Sequence, residues 1–496
     1  MTLEHSRPIK LAESVSGRKR QNLESHLDAA TVVVSVDSDV PQAHLTARVL
    51  LSTLRRGPGV VMLVADGLPS AFVTEMEEVT TAIDTDRGLR VIRESAGIPD
   101  TAVSVHIGPT SWRRAIRILP EGHGAHVASA TTAVIRPRRP GTPLGAVYTA
   151  ALGTGEVFKH TVEVIPNRRV LHRHLTFCPV SLSSDLSAAP DLADLMTLDL
   201  TLVGVGAIGT GIALLLDALG AEGRIVVVDP QRFARENRGT YSLGGVAEVD
   251  AAPWKVEMAR SALPRFDVIP FHEPVDELIR AIDREELPWT PLVLTALDSP
   301  EARRDAQRLW PDRLIDAATG DTMLGLHDDR HGVDPCMVCI FPVNTHAPSG
   351  ADIVAKRLGL SVDVLADADA ILTEEHLVGK TDEQQALLRP HLGTTMCGLA
   401  RATDLTHLGA DDYMPSVPFV SLQAACLSIG RLIASHAGEV PATNLVQYDS
   451  LFGPQAATLE LMRPRPDCIC TARSSAIEEV RRRRATSGAK VLPDKG

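Results

Sequence analysis

No stretch of about eighteen apolar residues runs free of charge in this 496-residue chain, and Met1 to Lys10 lacks the apolar core of a secretory signal. On those absences the chain reads as cytoplasmic, with no membrane partner. Cysteine is scarce: seven residues, an odd number, are too few to staple a chain of this length. In a reducing compartment they point instead to metal binding or thiol chemistry. Positive charge is outweighed, 50 basic side chains against 62 acidic ones giving −12. That balance argues against bulk nucleic-acid binding, which needs clustered Lys and Arg to release counterions. The short basic runs Arg18–Arg20 and Arg481–Arg484 lie near the chain ends and read as solvated tails. Neither an HExxH zinc-protease pattern nor a GxxxxGK[ST] phosphate loop occurs.

What is present is an ordinary globular composition, 44% hydrophobic and 23% charged, long enough for two to four domains. The clearest local signal is Leu198 to Pro230: an apolar strand, a glycine-rich turn, an apolar helical run and a second strand ending at Asp229. In the turn, Gly204 permits the tight bend, Gly206 lets the backbone approach a phosphate, and Gly209 lets the helix pack close to the strand. Phosphate would sit at the positive end of the helix, and Asp229 would accept hydrogen bonds from ribose hydroxyls.

Thr31 to Asp66 repeats this layout without its glycines, offering Asp37, Ser38, Asp39 and Pro41 at the turn and Asp66 at the end of the second strand. Negative charge there opposes a phosphate. Pro143–His160 and Pro418–His436 are likewise similar, both helices rich in small residues. The sequence therefore reads as an internal duplication whose first half kept the fold and lost the nucleotide; two unrelated α/β domains are the alternative. Ser181 to Asp194, rich in Ser, Asp, Ala and Pro, reads as the linker.

Beyond Asp229 come Asn237-Arg238-Gly239, Lys255 and Asp298. A bound nucleoside triphosphate carries about four negative charges, so a site for one needs cations, for which Arg238 and Lys255 qualify, and a carboxylate such as Asp298 to hold Mg²⁺. The same charges read blandly are surface groups. Four cysteines pair locally, Cys336 with Cys339 and Cys468 with Cys470. The succession GxGxxG, Asp229, Asn237-Arg238-Gly239, Lys255, Asp298, Cys336-Met337-Val338-Cys339 resembles the adenylating domain of the ThiF/MoeB and ubiquitin-activating enzyme superfamily, over about residues 195 to 472.

That resemblance implies an α/β fold of two Rossmann-like halves in tandem, with mixed sheets and helices on both faces. Residues 1–190 would be an inactive half. Residues 195–472 would be the active adenylation domain, with a crossover segment around 343–415, and 473–496 a flexible tail. It further implies ATP-dependent adenylation of the C-terminal carboxylate of a ubiquitin-like or sulfur-carrier protein, with a conjugating enzyme as a further partner and a pseudo-dimer within one chain that can dimerise again. Asp229 would bind ribose, Asn237 and Arg238 would contact phosphate, Lys255 would hold the phosphates and Asp298 would bind Mg²⁺. Cys336, Cys339, Cys468 and Cys470 would bind Zn²⁺, although the second pair is spaced Cys-Ile-Cys where the family usually has two residues between. Arg235 stands where the family usually has a first asparagine. Cys397, preceded by Thr394 and Thr395, would be the thioester nucleophile, whereas Cys178 and Cys426 read as structural. Peptide adenylation in a biosynthetic pathway is a close variant. An NAD-dependent dehydrogenase using the same loop and a non-catalytic scaffold are the readings from other classes.

Overall fold

The structure is a computed structural model describing residues 6–488 apart from 17–19, 58, 94–96, 163–170, 191–195, 344–349, 368–369, 397–398 and 400–416. Two sheets account for its strands. The first contains β1 (Thr31–Val36), β2 (Val60–Val64), β3 (Arg90–Ile92), β4 (Val103–Ile107), β5 (Ile116–Glu121), β6 (Gly124–Ala128) and β7 (His174–Phe177) in the order β3-β2-β1-β4-β5-β6-β7. The second contains β8 (Thr197–Val203), β9 (Glu222–Val228), β10 (Phe266–Phe271), β11 (Leu292–Thr295), β12 (Arg313–Gly320), β13 (Met323–Arg330), β14 (Leu445–Asp449) and β15 (Thr458–Glu460) in the order β10-β9-β8-β11-β12-β13-β14-β15. Up to the added edge strand the two orders are the same. In each sheet the first five strands run parallel and the next two are antiparallel. The molecule is thus a tandem of two Rossmann-like α/β halves with mixed sheets, as the repeat in the sequence implies.

The register corrects one detail of that repeat. Asp229 N donates to Phe271 O, closing β9 onto β10; in the first half the same bond runs from Ala65 N to Ile92 O. Ala65, not Asp66, is the counterpart of Asp229, so the first half has no carboxylate at that position. The turn differs as well. Three residues, 204–206, separate β8 from its helix, but six, 37–42, separate β1 from the helix that follows it.

Short helices α1 (Ser6–Ser16) and α2 (Arg20–Ala29) precede the first sheet, and α3 (Ala43–Arg55), α4 (Ser70–Ile83) and α5 (Pro143–Val162) cover it. In the second half α6 (Ala207–Ala218), α7 (Lys255–Ala262), α8 (Val275–Asp283), α9 (Pro300–Gln307) and α10 (Pro418–His436) do the same. Helices α5 and α10 occupy equivalent places, between the sixth and seventh strands of their sheets, and pack against one another where the halves meet. Every residue from Leu144 to Val157 and from Pro418 to Ala434 is buried, which small side chains at close approach make possible. Among the described helices α10 alone is long and apolar enough to cross a membrane, and here it lies inside the protein.

Several polar groups at this seam pair across or beside it, while Thr149 Oγ1, Glu156 Oε2 and Gln423 Nε2 are buried without a partner among the described residues. Tyr148 Oη lies 3.2 Å from Tyr448 Oη, which donates to Gln423 Oε1 at 3.1 Å. Glu156 of α5 pairs with Lys159 at 2.8 Å, and Arg431, its positional counterpart on α10, reaches Asp328 at 3.2 Å. Residues of the 343–415 segment form a small satellite core of their own, including Leu358, Leu372, Leu388 and Met396.

The chain end is a second correction. Ser474–Gly488 is a helix, α11, rather than a flexible tail, and of the arginine run within it Arg481 and Arg484 are docked whereas Arg482 and Arg483 stay exposed. Arg484 is buried, donating to Arg308 O at 2.8 Å and Leu309 O at 3.1 Å and pairing with Asp283 of α8 at 2.9 Å. Arg481 donates to Trp310 O and pairs with Asp312. Arg484→Ala removes the donor to Arg308 O, leaves Leu309 O with Trp289 Nε1 alone and Asp283 with the exposed Arg483 alone, and is expected to cost about 2 kcal/mol, read by urea unfolding. A loss below about 0.5 kcal/mol would return this helix to the status of a loosely attached tail.

Candidate functional site

A cleft of about 400 Å³ opens at the carboxyl ends of β8, β9 and β11, where strand order reverses and where open α/β sheets bind ligands. Each glycine of the turn has a distinct environment. Gly204 has φ +93°, and a Cβ there would lie 2.6 Å from Ala296 O. A Cβ on Gly209 would lie 2.1 Å from Gly204 O, so close packing of α6 on the turn requires glycine. Gly206, at the N-cap of α6, faces open space: a Cβ there would meet only Tyr241 Oη, at 3.9 Å. A ligand can therefore approach the backbone at Gly206, beside the unpaired amides and positive end of a twelve-residue helix.

Asp229 is buried at the cleft floor and braces it. Its Oδ2 accepts from Val205 N at 2.8 Å and its Oδ1 from Gln231 N at 2.9 Å. Each oxygen keeps a further lone pair, enough for ribose hydroxyls. Lys255, the first residue of α7, is 2% exposed and lines the cleft. Its Nζ donates to Gln231 Oε1 at 2.5 Å and lies 5.4 Å from the Tyr241 ring centroid. Asp298 stands exposed at the other wall, where β11 leads into α9. Ser299 Oγ accepts from Ala302 N to cap α9, and Arg303 grips Leu297 O through Nε and Nη2 at 3.2 and 2.7 Å, fixing the turn that carries Asp298. Asp276 and Asp305 join the lining; burial and the neighbouring Asp276 hold the Asp305 carboxyl above its usual range.

Gly204, Gly206, Asp229, Lys255 and Asp298 therefore share one cleft, with Gly209 packed immediately behind it. Asn237 and Arg238 are not among the lining residues. Asn237 is buried and shapes the loop: its Oδ1 accepts from Ala234 N, and its carbonyl accepts from Thr240 N and Tyr241 N. Arg238 is half-buried; burial first, and the nearby Arg238 charge after it, lower the pKa values of Arg55 and Arg56 of the first half, and the Arg238 carbonyl accepts from Arg56. This places Arg238 toward the seam between the halves rather than over the glycine turn. Gln231, Tyr241, Asp305 and Arg303 went unread in the sequence. Gln231, two residues past Asp229 on the same turn, carried the only local signal.

The four paired cysteines converge although 132 residues separate Cys336 from Cys468. Sγ of Cys336 lies 4.0 Å from Cys339 and 3.6 Å from Cys468, and Cys339 lies 3.6 Å from Cys470. A tetrahedral zinc with Zn–S bonds of about 2.3 Å spaces its sulfurs by ~3.8 Å, so these separations suit that ion, and all four sulfurs, the Cys-Ile-Cys pair included, lie within 4.8 Å of one another. Arg465 N donates to Cys339 Sγ at 3.4 Å, the kind of support a thiolate ligand receives. Burial pushes the Cys336 and Cys339 thiols up, the latter to about 12, so metal uptake must displace protons. Cys178 and Cys426 are fully buried, as structural cysteines would be. Cys397 lies outside the described residues.

Two outcomes separate function from packing here. Gly209→Ala should destabilise the fold by about 1–3 kcal/mol or more, whereas Gly206→Ala should change stability by less than ~1 kcal/mol while weakening any ligand at the turn. Thermal unfolding of both variants, with and without nucleotide, checks this. Elemental analysis should find about one zinc per chain, lost on Cys336→Ser together with part of the thermal stability. A purified protein with well under one zinc would remove the metal from the account.

No protein-family model matches the chain, and no curated protein matches it. Among solved structures it is similar to the crystal structure of E. coli MccB with MccA-N7isoASN, at 12% identity over 55% of this chain and 67% of that one, with a TM-score of 0.37.

Proposed function

We propose that the cleft of the second half binds ATP with Mg²⁺ and that the protein adenylates a carboxylate, the C-terminal carboxylate of a ubiquitin-like or sulfur-carrier protein or of a peptide. One observation carries the reading: a glycine open to the cleft at a helix N-terminus is faced by a buried lysine and, across the cleft, by an exposed aspartate. Backbone amides of α6 and the Lys255 ammonium suit the phosphates, Asp229 suits the ribose, and Asp298 suits a Mg²⁺ ion. The metal would neutralise charge on the triphosphate oxygens.

In this reaction a carboxylate oxygen forms a bond to the α-phosphorus and the bond from that phosphorus to the bridging β-oxygen breaks, releasing pyrophosphate. No general base is required, because the nucleophile is already ionised. What the chain must supply is fixed positive charge where oxygens become more negative, and Lys255, held by Gln231 and Tyr241, is a cation placed for it. Transfer of the acyl group to the Cys397 thiolate, with AMP leaving, belongs to the same reading; accumulation of a reducible thioester by Cys397→Ala would remove that residue from it. A nicotinamide dehydrogenase would use the same turn, but among the described residues lining the cleft there is no histidine to exchange a proton with a hydroxy substrate.

ATP with Mg²⁺ at a hundred times its Kd should stabilise the wild-type protein by about 2.7 kcal/mol, against no effect of NAD⁺. Lys255→Ala and Asp298→Ala should each weaken that binding at least tenfold by titration calorimetry, the Asp298 variant losing the dependence on Mg²⁺. Stabilisation by NAD⁺ alone would replace adenylation with hydride transfer.

A further inference from the structure

The loop between Asp229 and Lys255 is held from outside its own domain. Arg56, just past α3 in the first half, is 4% exposed and crosses the seam. Its Nη1 donates to Arg238 O at 2.5 Å, and its Nη2 donates to Gly244 O at 3.2 Å and, more loosely, to Ser242 O at 3.4 Å. Independently, Gly245 lies flat on the last turn of α4: a Cβ there would stand 2.0 Å from Ala82 O. From the opposite side Thr210 Oγ1 of α6 accepts from Ser242 N at 3.1 Å. Between these anchors sits Tyr241, whose ring flanks Lys255 and whose hydroxyl is the nearest side-chain atom above Gly206.

The carbonyls of Arg238, Ser242 and Gly244 are partly buried beside a seam cavity, where one fixed donor group can hold all three in register. A planar guanidinium can serve three at once, which a lysine ammonium on a thinner, more flexible stem cannot do with the same geometry. Arg55 beside it stays within its own half, donating to Gly57 O and Gly59 O and lying 3.9 Å from Asp84. Arg48, on α3, lines the same seam cavity but turns to Glu75 at 3.8 Å.

We propose that Arg56 is a positioning residue through which the first half completes the nucleotide site of the second, holding the 238–245 loop so that Tyr241 and Lys255 face the glycine turn. The proposal deepens the ATP reading of the cleft and rests on it. It gives the half without a phosphate turn a function that neither half has alone.

The test reads the loop and the ligand separately in the full-length protein. Amide hydrogen exchange over 232–245 is followed without ligand, and ATP with Mg²⁺ is titrated by calorimetry. In Arg56→Ala the 238–245 amides should exchange at least tenfold faster and the Kd should rise at least tenfold, with β8 and β9 amides unchanged. Arg56→Lys should restore part of both, and Arg48→Ala should stay within twofold of wild type. Gly245→Ala, which leaves Arg56 intact but pushes the loop off Ala82, should reproduce the Arg56→Ala pattern. Values within twofold of wild type for Arg56→Ala overturn the proposal. If that variant does not fold, wild-type values in both Arg56→Lys and Gly245→Ala overturn it instead. Faster loop exchange in a protein whose wild type has no affinity for ATP keeps the clamp and removes the nucleotide reading.

Discussion

Two helices that cannot face water hold this molecule together. Helices α5 and α10 are buried over nearly their whole lengths: each packs on the strands and helices of its own half and, with its remaining face, on its counterpart in the other half. Separating the halves would expose those surfaces together with the Tyr148–Tyr448–Gln423 chain, whose hydrogen bonds run between the helices and the second sheet. The seam therefore behaves as core rather than as a contact between independent domains. From it follow the fixed position of Arg56 opposite the 238–245 loop and the contact of α4 with Gly245.

Across that seam the two halves share one strand order but differ at the turn after the first strand. Both sheets present strand ends at the same topological switch. In the second half a three-residue turn brings the helix N-terminus up to the strand, with Asp229 bonding Val205 N beneath it. In the first half the turn is twice as long, Gln42 takes up a left-handed conformation before α3, and Ala65 offers no carboxylate. With the floor of the site gone, the adjoining helices α3 and α4 are free to serve as support. Arg56 and Ala82, which touch the working loop, lie at the ends of those two helices.

The cysteine cluster is a second organising point, remote from the seam. Cys336 and Cys339 follow β13, and Cys468 and Cys470 precede α11, so the cluster ties the chain end to the second sheet. Arg481 and Arg484 extend that attachment to Trp310, Asp312 and Asp283. Arg303, which stacks 5.2 Å over the Phe341 ring two residues past Cys339, also holds Leu297 O beside Asp298. Through these few contacts the cysteine region and the mouth of the cleft share a wall.

Much of this was legible in the residues. Apolar strands bounded by glycine turns, a helix behind Gly206 and an acid at the end of the next strand are local features, set by backbone sterics and by periodicity over about ten residues, so the βαβ unit, the steric demands at Gly204 and Gly209 and the repeated layout could be read directly. The cysteine pairs were legible for the same reason, as spacing within short stretches. Asp229, Lys255 and Asp298, picked out from the sequence, do line the cleft, but the rest of its lining was not legible. Arg238 is adjacent in sequence to Asn237 yet lies toward the seam, while Gln231 and Tyr241 line the site. In the arginine run that reads as a solvated tail, Arg481 and Arg484 are docked because Asp312, Asp283 and the carbonyls of Arg308 and Leu309, about 170 to 200 residues away in sequence, lie against them. Such outcomes depend on the packing of distant segments, where unpaired buried carbonyls and carboxylates select their donors, and that selection exists only once the two halves are closed on each other.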